Sequence, residues 1–207
     1  MGRYEEMTAV ILAAGLKEFA RFAEQLPDIA EAAAVFAVND TSRDAVPLIK
    51  RHMRQQVNFP SNYLNSERLG IRRKATRANI EAVISGRDRP TSLARFAEGA
   101  TPRNTRRQPI FVKVKTGRTV RLDKAFLLTL RNGNIGLAIR LPKGQEPDRA
   151  YKPVQLTRGG GQAQGAWLLY GPSVDQVMQG VATDVQGDIG STLSRNFLRH
   201  FSRLASG

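Results

Sequence analysis

His52 and His200 are the only histidines in this 207-residue chain. Because no cysteine is present, they are its natural candidates for general acid–base chemistry near neutral pH. Both fall in helix-like stretches among Arg and Lys. That setting reads as surface or satisfied polar positions. The acids of the middle segment, Glu67, Glu81, Asp88, Glu98, Asp123, Glu146 and Asp148, are scattered among bases, so no two are placed by sequence to share a hydrolytic site. No G-x-S-x-G, P-loop or H-E-x-x-H motif occurs, and Gly159-Gly-Gly161 lacks the Lys-Ser/Thr that would make it a phosphate cradle. Without cysteine there is no disulfide and no thiolate metal site. The expectation is a protein that is not an enzyme, with no catalytic, cofactor-binding or metal residues. A hydrolase would need a pocket joining His52 or His200 to carboxylates.

The stronger chemistry is charge. Residues 61–158 hold 22 Lys/Arg against 7 Asp/Glu, while residues 1–60 and 159–207 are close to neutral, and the whole chain carries +14. Cations in such excess suit a phosphate backbone or a carboxylate-rich protein surface. They gather in two clusters: Arg72, Arg73, Lys74 and Arg77 around one strand turn, and Arg103, Arg106 and Arg107 on a loop. These seven are the expected interface, the plain alternative being a solvated surface that keeps the protein soluble. Nothing resembles base readout: there is no helix-turn-helix or zinc finger, and Phe111 alternates inward as a core residue would.

The elements that must carry these residues follow from periodicity. Thr8–Ala14 reads as a short strand, Leu16–Leu26 as a helix, and Pro27 restarts a helix toward Phe59 with a kink or break at Pro47. Strands are expected over 69–76 and 78–85, over 110–115 and 119–122, and over 125–130 and 135–141 across an Asn-Gly hairpin, with a last strand at 167–170. Residues 98–109 and 142–165 read as two long loops. Ser173 with Gln176 is a capping-box start to a long helix. Its stripe of Val177, Val181, Val185, Ile189, Leu193, Phe197 and Phe201 is expected either to pack subunits together or to form intramolecular core, and Gly180, Gly187 and Gly190 would be tolerated in it by close packing. The fold class is therefore α+β: one domain, 1–207, with a strand and helices in 1–60, a basic antiparallel sheet in 61–170 and a helix in 171–207. Glu5 and Glu6 ahead of a short apolar run argue against export, and no run reaches the roughly 20 apolar residues of a membrane span, so a cytoplasmic product is expected.

The order of these elements resembles the minor tail protein Z (tail completion) family of long-tailed phages. The resemblance rests on Gly15-Leu16, Leu26-Pro27, Phe36-Ala-Val-Asn-Asp-Thr41, Ala75-Thr76-Arg77-Ala-Asn79, Gly86-Arg-Asp-Arg-Pro90, Ser92-Leu93, Arg95-Phe96, Lys124-Ala-Phe126 and Leu169-Tyr-Gly-Pro-Ser173. It implies a virion structural role at the head-proximal end of the tail, made in the host cytoplasm. Such a protein would complete or cap the tail tube and join it to the head connector. It also implies a homo-oligomeric ring, of six subunits, with the tail tube or terminator protein and the connector as partners, and no cofactor. The basic face would meet acidic subunits or the end of the genomic DNA. The competing reading is a sequence-independent nucleic-acid-binding protein that uses the same basic segment.

Overall fold

Alanine spacing builds the long N-terminal helix α1 (Pro27–Gln56). Ala30, Ala33, Ala34, Ala37, Val38, Thr41, Ala45, Ile49 and Met53 recur every three or four residues and are buried as one stripe. Pro27 supplies the preset φ of a first helical residue, and Asp28 sits in the first turn where the helix dipole favours it. A kink or a break is expected at Pro47; no break occurs, and α1 runs through it. Pro47 and Arg43 both lie on the exposed face, where water can solvate the Arg43 carbonyl that the missing N–H leaves unbonded.

The computed structural model describes residues 8–12, 22, 24, 26–99, 102, 108–142, 144–158 and 161–206. The expected helix over 16–26 therefore lies largely outside the described residues. The chain folds into two compact units. The first comprises Met1–Met53, Leu64–Asp88 and Val174–Gly207; the second comprises Arg54–Tyr63 and Arg89–Ser173.

In the first unit, strands β1 (Thr8–Leu12), β2 (Leu69–Arg73) and β3 (Glu81–Gly86) form an antiparallel sheet in the order β1-β3-β2. Ala82 and Ile84 of β3 are fully buried, and the C-terminal helix α2 (Val174–Ala205) packs on β3 and β1. The start of α2 lies against β3. The Asp175 amide donates to the Arg87 carbonyl at 3.2 Å, and a Cβ on Gly86 would fall 2.8 Å from the Asp175 backbone. Only glycine fits there. Farther along α2, Phe22 stacks on Phe201 at 4.3 Å between ring centroids and meets Phe197 at 6.2 Å.

The second unit is built of short strands. They are β4 (Thr91–Ser92), β5 (Ile110–Val112), β6 (Val120–Leu122), β7 (Ala125–Thr129), β8 (Ile135–Arg140), β9 (Val154–Arg158), β10 (Gly161–Leu168) and β11 (Tyr170–Gly171). β7-β8-β10-β9 is a four-stranded antiparallel sheet, while β4 pairs with β11 and β5 with β6. The Asn-Gly hairpin joins β7 to β8 as expected, with Gly133 at φ +77°. The stretch 142–165, expected as one loop, instead carries β9 and much of β10. Its Gly and Gln residues show no alternation. The pairing is nevertheless antiparallel, Gly161 opposite Arg158, and its register shifts between Gln162 and Trp167. Gly165 lies in that shift at φ +68°, where a Cβ would lie 2.1 Å from the Leu141 carbonyl oxygen. Of the other expected loop, 98–109, residues 100, 101 and 103–107 lie outside the described residues. Among the described residues no helix is long and apolar enough to cross a membrane.

Candidate interaction surface

The β2–β3 turn places Arg72, Arg73, Lys74 and Arg77 on the surface, but two of the four are committed to the fold. Arg72 donates to the Ser85 hydroxyl and to the carbonyls of Ser66 and Glu67, tying β2 to the loop before it. Arg73 pairs with Glu81 across the hairpin. Lys74 and Arg77 are exposed. Arg103, Arg106 and Arg107 lie outside the described residues.

The fold redistributes the charge that the sequence groups in residues 61–158. Its second unit carries 17 Lys/Arg against 4 Asp/Glu, a net of +13, and the first unit 15 against 14, a net of +1. The Arg72 cluster thus belongs to a nearly neutral body. The basic body presents a different set of side chains, which sequence reasoning missed. Strands β5 and β6 make a two-stranded ribbon with Ile110 opposite Leu122, Phe111 opposite Arg121 and Val112 opposite Val120. Ile110 and Val112 are buried, so their face is the inner one. Phe111, expected inside, lies on the other face and is 43% exposed. The pleat explains the difference. Alternation fixes which residues share a face, and the buried pair Ile110 and Val112 takes the core side, leaving Phe111 outside.

At the tip of the ribbon the Arg118 amide donates to the Lys115 carbonyl at 3.1 Å, and Gly117 has φ +76°, as position i+2 of a type II turn requires. Lys115 and Arg118 are exposed. Lys113 pairs with Glu98 at 2.8 Å, and Arg121 with Asp123. The ribbon is held from beside. Thr116 donates its amide to the Gln56 carbonyl and its hydroxyl to that of Arg54, closing the C-terminal turn of α1. The sequence signal for this surface was present: a Thr-Gly-Arg turn between strands, in the middle of the basic segment.

An acid–histidine pair lies in the first unit. His200 Nε2 is 2.7 Å from Asp40 Oδ2, and Arg199 and Arg43 also donate to the Asp40 carboxylate. Burial opposes ionisation of Asp40, but hydrogen bonds from His200 and Arg43 and their charges outweigh it and hold the carboxyl below its ordinary value. The histidine is thus not remote from acids. The other ring nitrogen, Nδ1, is buried without a partner, and the Phe36 ring lies 5.4 Å from the imidazole. The contact joins α1 to α2. Next to it, Asn196 donates to the Thr41 hydroxyl at 3.1 Å. Asn39 grips the backbone of Ala75 in both directions, donating at 3.0 Å and accepting at 2.9 Å.

A cavity of about 620 Å³ in the second unit is lined by Asp123, Lys124, Phe126, Leu128, Thr129 and Arg140 among others. It contains no histidine, and its carboxylate is the one paired with Arg121. Of the stripe on α2, Val177, Val181, Val185, Leu193, Phe197 and Phe201 are buried within the chain itself, and Ile189 is half-buried. That favours intramolecular core over a seam between subunits. The same helix corrects the expectation for two of its three glycines: a Cβ on Gly187 or Gly190 would meet nothing within 4 Å among the described residues, so close packing is not what keeps these two.

Compared with known proteins, the chain matches no family model, and neither a curated protein nor a solved structure matches it.

Proposed function

We propose that the chain is a virion structural protein at the head-proximal end of a phage tail, without catalytic activity, that completes or caps the tail tube and joins it to the head connector as a ring. The observation that carries this reading is the division of charge, +13 on one unit and +1 on the other. A ring subunit needs one surface for its copies and a different one for the next layer. A nearly neutral body suits the first task. A basic body suits docking on acidic tube or connector subunits, where complementary charge sets encounter and register.

The segments that carry the family resemblance support the reading by meeting one another. Asn39 grips Ala75 within the first unit. Within the second, the Leu93 amide donates to the Leu169 carbonyl at 3.1 Å.

Native mass spectrometry of the purified chain, alone and with isolated tails, tests the proposal. A ring alone or on tails is the expected result, together with immunogold label at the head end of the tail. A chain that stays monomeric in both conditions and never labels particles overturns it.

A further inference from the structure

We infer that the outer face of the β5–β6 ribbon is a binding surface for single-stranded nucleic acid, with Phe111 as its stacking platform. Three observations converge on it. First, Phe111 is a large aromatic left 43% exposed on the face turned away from the core, directly across from Arg121. Second, residues 109–124 hold Lys113, Lys115, Arg118, Arg121 and Lys124 against the single acid Asp123, inside a unit of net +13. Third, the turn at Gly117 brings Lys115 and Arg118 to its two ends, so their Cα atoms lie within about 7 Å of each other.

The occupant follows from that chemistry. A repeating anion is needed to engage cations spread along the ribbon. Lys115 stands four residues beyond Phe111, about 13 Å at roughly 3.3 Å per residue. A flat apolar partner is needed for the exposed ring. A nucleic-acid strand offers both, since phosphates repeat along its backbone and every base has a π-face. The base must be unpaired, because a duplex keeps its faces stacked inside. Glu98 and Asp123 border the surface, but each is already paired, with Lys113 and Arg121, and so adds little net repulsion. Recognition is sequence-tolerant, since nothing on the ribbon is placed to read base edges. The inference stands apart from the assembly reading, which is tested without any oligonucleotide.

The test is fluorescence anisotropy of the full chain with a labelled oligothymidine strand and with a duplex of equal length, at several salt concentrations. The single strand is expected to bind more tightly, with affinity falling as salt rises. Phe111→Ala should weaken single-strand binding at least fivefold, as loss of one stacked base does. Phe111→Trp should retain it, and Phe111→Leu, which keeps apolar area but no π-face, should not. K115E/R118E should reduce the salt slope by about 0.7 for each phosphate no longer neutralised. The melting temperatures of all four variants should stay close to that of the parent, because these side chains are exposed. Equal binding of duplex and single strand, full affinity in Phe111→Ala or Phe111→Leu, or no binding at low salt each overturns the proposal. Failure of the parent chain to bind the oligonucleotide, with retention of an acidic protein that K115E/R118E releases, would identify the face as a protein contact instead.

Discussion

Asp40 collects three donors, His200, Arg199 and Arg43, from two helices, and this makes it the most informative single residue of the first unit. Its folded-state pKa lies below the ordinary 3.8, so the group stabilises the native state above that value. This contribution is lost as pH falls below 3.8 through the folded pKa. Asp40→Asn should therefore cost about 1 kcal/mol in urea denaturation at pH 7, the scale of a partly exposed charged hydrogen bond. The difference from the parent should shrink at pH 3. A constant difference across that range would mean that Asp40 acts by shape alone. Beside it, Asn39→Ala leaves the amide and carbonyl of Ala75 without their side-chain partner, and about 1–3 kcal/mol of stability should go with it. Neither interaction could be read from the chain. Asn39 and Ala75 lie 36 residues apart, Asp40 and His200 160 apart, and side-chain pairing over such separations leaves no local pattern.

Elements were legible where a short-range rule decides them. The stripe of α1, the Asn-Gly turn before β8 and the start of α2 after Ser173 each follow from local spacing or capping. Those that failed are decided by something outside the segment. Pro47 is tolerated because its face of α1 is solvated, β9 and the glycine-rich half of β10 exist because they pair, and Phe111 faces out because its neighbours claim the core. The glycines of α2 give a test at this scale. Gly187→Ala and Gly190→Ala add a methyl to open space in a helix interior, so each should raise stability by up to about 1 kcal/mol, seen as a higher melting temperature. Gly86→Ala should do the reverse. Its Cβ would press on backbone atoms of Asp175, which no side-chain rotation can relieve, and a loss of about 1–3 kcal/mol is expected. If Gly86→Ala also raised stability, the close approach of β3 to α2 would be wrong.

At the scale of the whole molecule, the chain's +14 belongs almost entirely to one of its two units, a partition that linear sequence hides because the chain passes between them. Two triple variants separate total charge from its location. R103E/R106E/R107E removes cations that belong to the second unit, and R51E/K74E/R77E removes exposed ones of the first. Each replaces three positive charges by three negative ones, so both lower the net charge of the chain from +14 to +8. If the chain has the proposed role, the measurement is the rate at which purified tails, loaded with each variant, join to heads at two ionic strengths. Under the proposed role in tail joining, the cations of the body that docks steer the encounter with an acidic partner, and steering of this kind weakens as salt rises. The second-unit variant should join slowly, with little dependence on salt. The first-unit variant should keep both the rate and the salt dependence of the parent. Equal slowing by the two would show that the field of the whole chain governs encounter, and the division of labour between the units would then have no bearing on assembly.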